Sequence, residues 1–427
     1  MLIDNICVKN FKSIKEINMD LSPLTLVVGA NASGKSNLIN VFRFISNIMT
    51  SGVDNAIALQ GGISYLANAS LPKGTPIEIE FSVDLSDEGW VRTADEKNFG
   101  YEVQKLHYRF VIQPNLKGNG YHIESDNLKV VFNCMQINPT AKKEDRYIDL
   151  NQKFSFCFSR KSRNSSIQSS FEFEDNKLNE SQQNSISNDT AAYFFRRIAN
   201  EDKNELMLYR ISILFPPVFS EEMFIRIFDF DPRELKKASS MASIRRLKED
   251  GSNLASVLQS ILRTKENRRK LTVLLKDFLP FVNSITIENN VDKSFSYKIQ
   301  EQFSKKSFHA SFLSDGTVSV LAIIVALYFE KESNIIILEE PERNIHPKLL
   351  ANLLSAAEDI STEKQIIITT HNPELVKNSK LETIRLITRD KNGFSKISNP
   401  KDSEMVNCFI QNDLGLDDLF VQNLLGD

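Results

Sequence analysis

Gly29-Ala30-Asn31-Ala32-Ser33-Gly34-Lys35-Ser36 fits the phosphate-loop pattern G-x-x-x-x-G-K-[ST] at every fixed position. Leu24-Thr25-Leu26-Val27-Val28 precedes it, apolar and partly β-branched, and reads as a buried strand. Asn37-Leu38-Ile39-Asn40-Val41-Phe42-Arg43-Phe44-Ile45 follows, with apolar residues at helical spacing. Strand, glycine loop and helix are the context the pattern needs. Glycines let backbone N–H groups curl around phosphate oxygens, and the helix N-terminus adds partial positive charge. The stretch from Gly29 through Asn37 therefore predicts a nucleotide site. Lys35 would bridge the outer phosphates and Ser36 would ligate Mg²⁺.

A second motif belongs beside the first. Asn334-Ile335-Ile336-Ile337-Leu338 is an apolar strand ending in Glu339 and Glu340. In a parallel sheet such a strand sets its last residues beside the phosphate loop, the Walker B arrangement. Glu339 would hold Mg²⁺ through water; Glu340 would orient and deprotonate the attacking water. Most phosphate-loop ATPases carry Asp first, so Glu339 departs by one methylene. Gln365 to Thr370 is another buried strand, and His371 at its end can reach a γ-phosphate.

Leu313-Ser314-Asp315-Gly316-Thr317 opens the apolar helix Val318 to Phe329, about twenty residues before Walker B. By itself this is a serine cap with a glycine turn. In that position it resembles the signature motif of ABC-type ATPases, Leu-Ser-Gly-Gly-Gln, with Asp315 in place of the first glycine. The whole is similar to the ABC-type ATPases of the RecF, SMC and OLD-like group, and to its single-head "predicted ATPase" subfamily. Val8-Lys9-Asn10-Phe11-Lys12-Ser13-Ile14, Glu339 to Pro347, Thr370-His371-Asn372-Pro373, Phe228-Asp229-Phe230-Asp231-Pro232, Asp250 to Leu254 and Leu414 to Leu419 carry the resemblance.

The resemblance implies an α/β fold. It would be an ABC-type P-loop ATPase head, with a mixed sheet, flanking helices and an antiparallel β subdomain, carrying a largely helical insertion. It implies that the signature binds the γ-phosphate held by a partner subunit, so that ATP and Mg²⁺ glue a homodimer or higher homo-oligomer. It brings Asn31 near the γ-phosphate, Lys12 near the phosphates, and makes Gln60 a candidate glutamine ligand of the metal.

Composition is that of a globular chain, with 41% hydrophobic and 25% charged residues at net charge −3. Cys7, Cys134, Cys157 and Cys408 lack C-x-x-C spacing, which fits a reducing cytoplasm and no zinc knuckle. The N-terminus has no signal-peptide pattern, and the longest apolar run, Val318 to Phe329, is too short to span a bilayer, which takes ~20 residues. A cytoplasmic protein with no membrane partner is expected.

Along the chain, Ile3 to Leu21 reads as a β-hairpin, Gly61-Gly62 as a turn, and Ile77 to Val83, Leu106 to Ile112 and Leu128 to Phe132 as strands. From about Arg160 to Thr190 Ser, Asn, Gln and charge dominate, predicting a flexible polar segment. Ala191 to Phe195 reads as a helix start, and Leu208 to Leu214, Ser284 to Glu288 and Ser294 to Gln300 as strands. Arg233 to Lys270 holds eleven basic against four acidic residues. This is either a solvated helix face or a sequence-blind phosphate-backbone contact through Arg245, Arg246, Arg268 and Arg269. The expected organisation is residues 1–158 as the first part of the head, 159–277 as insertion, and 278–427 as the second part with signature, Walker B, His371 and an acidic tail.

Many members of this group are antiphage ATPases acting with a nuclease. About fifty residues follow His371, with no Toprim-like glutamate-then-Asp-x-Asp arrangement and no HNH cluster. Any nuclease is thus expected as a separate polypeptide, as for the ATPase subunits of Septu and PARIS. The tail Asp413 to Asp427 could dock it, or could pack on its own domain. The alternative is a RecF/SMC-like DNA clamp of repair or chromosome maintenance. A transporter motor is disfavoured by the roughly 275 residues separating Walker A from the signature.

Overall fold

A computed structural model describes residues 2–86, 91–93, 99–138, 140, 147–161, 166–174, 180, 183–184, 186–188, 205–210, 225–241, 246–331, 333–404, 406, 408 and 415–422. The chain divides into two compact units, one of residues 1–21, 37–224 and 389–397, the other of 22–36, 225–388 and 398–427.

The first unit is built on antiparallel strands. The hairpin Leu2–Phe11 with Ile14–Asp20 forms as its alternation predicts, and Ile77–Asp84 pairs on its other side. Phe99–Pro114, Tyr121–Ile137, Tyr147–Arg160 and Gln168–Phe173 continue the ladder in sequence order. From Asn37 onward the helix Lys35–Leu59 packs Phe44 between Phe11 and Phe110, with ring centroids 5.9 and 6.4 Å away. It breaks at Gly52, whose φ of 82° only glycine adopts cheaply.

The second unit is built on parallel strands in the order Ile225–Phe228, Ile335–Glu339, Gln365–Thr370, Leu24–Val28, Ile384–Arg389. The central strands are buried along their length, which explains their unbroken Ile, Leu and Val runs. The helix Asp315–Phe329 is buried from Thr317 to Leu327 on every side and reads as apolar all round for that reason. A smaller antiparallel sheet joins Ser239–Ser240, Val282–Asn289, Ser294–Glu301 and Ser307–His309.

Two expectations need correction. The polar segment 160–190 contains the strand Gln168–Phe173, where Phe171 and Phe173 alternate with polar residues and Phe171 stacks on Phe156 at 4.2 Å. Met207–Arg210 is a 3₁₀ turn, not the start of a strand; 211–214 and the helix start at 191–195 lie outside the described residues. The boundaries at 158/159 and 277/278 do not coincide with those of the units. Ile225–Phe228 enters the parallel sheet, and Leu254–Ile261 and Lys265–Phe278 pack their apolar faces into the same core.

Candidate nucleotide site

Three strands of the second unit end at one place: Val28, Glu339 and Thr370 are the C-terminal residues of adjacent parallel strands, where open α/β sheets bind ligands. The phosphate loop leaves the first of them. Gly29 N–H donates to the Thr370 carbonyl at 3.1 Å. A Cβ on Gly29 would stand 2.4 Å from the Ile387 carbonyl oxygen, so only glycine fits. Ala32 and Gly34 take left-handed backbone, φ 63° and 118°, curling the loop before Lys35 opens the helix. Ala30, Asn31, Ala32 and Ser36 are exposed, while Ser33, Gly34 and Lys35 are buried.

Lys35 is held in place. Its Nζ donates to the carbonyls of Gly29 at 2.8 Å and Ala30 at 3.1 Å, and stands 3.3 Å from Glu340 Oε1. Ser36 Oγ donates to Glu339 Oε1 at 2.6 Å, so the two oxygen donors expected for Mg²⁺ already face each other. A hydroxyl and a carboxylate suit a hard cation, and these two residues would hold it.

Glu340 is the hub. His371 Nδ1 lies 3.1 Å from its Oε1 and Arg343 Nε donates to its Oε2 at 3.1 Å. Burial pushes this carboxyl up, but the Arg343 hydrogen bond and the charges of Lys35 and His371 outweigh it and hold the carboxyl below its ordinary range. Its backbone is in the left-handed region, φ 42°, and its N–H is fixed to the Thr369 carbonyl at 3.0 Å. Non-glycine residues in that region cost about 1–3 kcal/mol and gather at functional sites. Glu342 faces inward: Thr370 Oγ1 donates to its Oε1 at 2.5 Å and the His371 N–H at 3.4 Å. Burial pushes the Glu342 carboxyl up.

The signature loop is part of the same unit. Ser314 caps its helix by accepting the Thr317 N–H at 3.2 Å; Ser314 and Asp315 are exposed, Leu313 and Thr317 buried. A Cβ on Gly316 would stand 2.7 Å from the Asn344 carbonyl, so glycine lets the two loops touch. Asp315 accepts from Lys236 Nζ at 2.5 Å.

The structure thus gathers Lys35, Ser36, Glu339, Glu340 and His371. Lys12, Asn37 and Gln60 belong to the first unit. The Asn37 amide donates to Ser13 Oγ at 2.6 Å, Lys12 N–H donates to the Leu66 carbonyl at 2.9 Å, and Gln60 stands in the turn closing its helix. Of the basic residues, Arg246 is half-buried, Arg269 is exposed, Arg268 donates to the Leu262 carbonyl at 2.8 Å, and Arg245 lies outside the described residues. Sequence reasoning missed Arg343 and Glu342. Arg343 carried one signal, its position three residues after the predicted base on a turn.

A family model described as an AAA ATPase domain matches residues 1–376. An uncharacterized protein of Methanocaldococcus jannaschii is 26% identical over 147 residues, 31% of this chain and 38% of that protein. The chromosome partition protein Smc of Fusobacterium nucleatum is 37% identical over 99 residues, 22% of this chain and 8% of Smc. The chain therefore matches well under half the length of either relative. Among solved structures, an Smc head bound to the C-winged helix domain of ScpA covers 93% of this chain and 97% of its own, at 15% identity and a TM-score of 0.52. The fold is α/β and that of an ABC-type ATPase head, as the motifs predict.

Proposed function

The chain belongs to the AAA ATPase domain family, and from that premise we propose that it binds and hydrolyses ATP as an ABC-type engine assembled from two or more copies. The observation that carries this reading is the convergence of Lys35, Ser36, Glu339, Glu340 and His371 at the ends of three adjacent parallel strands. Lys35 would meet the β- and γ-phosphates and His371 the γ-phosphate. Mg²⁺ held by Ser36 and Glu339 would neutralise phosphate charge. The attacking water would give its proton to Glu340 as its oxygen bonds to the γ-phosphorus and the bridging P–O bond breaks, leaving ADP and phosphate. The exposed Ser314 and Asp315 leave the signature open to a second copy's nucleotide.

The engine's output, in this reading, is control of a separately encoded effector, a nuclease of bacterial antiphage defence, in the cytoplasm. The motif resemblance supports it, as does a head of the same fold that binds a separate protein domain. No helix among the described residues is long and apolar enough to cross a membrane. The test is affinity purification of Glu340→Gln with ATP and Mg²⁺ from the native host. A stoichiometric nuclease-like protein is the expected result; its absence, with nucleic acid recovered instead, would overturn it.

One observation favours the DNA-clamp alternative: Arg263, Lys265, Arg268, Arg269 and Lys276 are all exposed on and just before the helix Lys265–Phe278. Neutralising Arg245, Arg246, Arg268 and Arg269 should then weaken DNA binding and flatten the slope of log affinity against log salt by about 0.9 for each phosphate no longer neutralised. An unchanged slope removes the clamp.

A further inference from the structure

Arg343 spans two carboxylates that come from different strands. Its Nε donates to Glu340 Oε2 at 3.1 Å and its Nη1 to Asp229 Oδ1 at 2.8 Å. Asp229 directly follows the strand Ile225–Phe228, which pairs in register with the Walker B strand, Phe228 opposite Leu338. Both carboxylates therefore leave the sheet side by side, and one planar guanidinium closes the gap with two nitrogens of fixed relative geometry. The backbone completes the arrangement: Arg343 N–H donates to the Glu340 carbonyl at 3.1 Å, folding residue 343 back over residue 340.

We propose that Arg343, anchored by Asp229, is a positioning residue for Glu340, fixing one carboxylate oxygen so that the other faces the reacting phosphate and its water. This rests on the ATPase reading above and adds two residues to it. The division of labour at Glu340 carries the inference. Oε2 is taken by Arg343, while Oε1 is the atom within reach of Lys35 and His371. Without the guanidinium the side chain can turn about its terminal torsion, and a general base must sit within hydrogen-bond reach of its proton. Stability is not the reason for the pairing. The side chains of Arg343 and Asp229 are 44% and 41% exposed, and exposed pairs add little to folding. The variants should fold.

The same strap of chain also touches the signature. Asp231 caps the turn Pro232–Leu235 by accepting the Arg233 N–H at 2.9 Å, and the turn delivers Lys236 to Asp315. The anchor of the general base and a partner of the signature loop thus lie seven residues apart on one short segment.

The experiment compares wild type with Arg343→Ala, Asp229→Asn and the double variant, by steady-state phosphate release and by equilibrium binding of a fluorescent ATP analogue. Arg343→Ala should lower kcat by about 10- to 100-fold, with KM and analogue affinity within about threefold. Asp229→Asn should give a smaller loss of kcat, and the double variant should be no worse than Arg343→Ala, because Asp229 acts through Arg343. Wild-type kcat in Arg343→Ala, a loss confined to KM, or losses that multiply in the double variant would each overturn the proposal. If the wild-type chain itself turns over no ATP, the ATPase reading fails instead, and the two failures are distinguishable.

Discussion

Glu340→Gln is expected to lower ATP turnover by about 10²- to 10⁴-fold while ATP binding survives. The substitution keeps shape and one carbonyl oxygen, so Arg343 retains an acceptor, but an amide cannot take a proton from water. Binding survives because the binding groups are others: the loop Gly29–Ser36, Lys35 on the carbonyls of Gly29 and Ala30, and the Ser36–Glu339 pair remain. Lys35 loses a carboxylate 3.3 Å away, which otherwise competes with phosphate for its charge. Affinity should therefore hold or rise. Phosphate release and nucleotide binding measured on one preparation decide it. Wild-type turnover would move the base to another residue; loss of binding would mean that Glu340 shapes the site instead of acting in it.

How much of this was legible in the sequence follows from how local each signal is. The phosphate loop needs its glycines at fixed spacing: Gly29 because a Cβ would strike Ile387, Gly34 because φ is 118°. The Walker B and histidine strands are buried on both faces, so they read as unbroken apolar runs ending in polar residues. The hairpin Leu2–Phe11 with Ile14–Asp20 alternates only loosely: Ile6 and Val8, and Ile17 and Met19, are buried two apart, while Ile3, Phe11 and Ile14 are buried three residues from the next buried position. What was hidden is what tertiary context supplies. Gln168–Phe173 is polar on one face and pairs with the strand Tyr147–Arg160 just before it, so composition alone reads it as a loop. Asp229 and Arg343 lie more than a hundred residues apart and meet because parallel pairing aligns Phe228 with Leu338. Asp126 and Arg160 look like ordinary surface charges in sequence, yet both are buried in the first unit.

That pair carries the second large expectation: Arg160→Met should destabilise the first unit by about 3–5 kcal/mol. Asp126 is wholly buried and Arg160 is 2% exposed, at 2.9 Å. Asp126 also accepts Tyr108 O–H at 2.5 Å and Met207 N–H at 2.9 Å, and Tyr108 accepts Leu208 N–H at 3.0 Å. Arg160 additionally donates to the Glu205 carbonyl, and Glu205 Oε1 accepts the Val53 N–H at 2.8 Å, just past the helix break at Gly52. The network therefore pins residues 205–208 to three strands and to the broken helix. Removing only the guanidinium strands a carboxylate among neutral donors. Burial already pushes the Asp126 carboxyl up against the pull of Tyr108, the Met207 N–H and Arg160. Without Arg160 its folded-state proton affinity rises further above the unfolded value. The protonated form then limits the damage at low pH, and the deficit grows as pH rises. Replacing both charges, Asp126→Leu with Arg160→Met, should cost less than the sum of the single losses, but not nothing, because the Met207 N–H and Tyr108 O–H lose their acceptor. Hydrogen exchange resolved over Tyr121–Ile137 and Tyr147–Arg160 measures the unit by itself, whatever the other unit's unfolding does. A loss below about 1 kcal/mol in Arg160→Met, or strict additivity in the pair, would mean that the charges are solvated in solution and that the anchoring of residues 205–208 rests on packing alone.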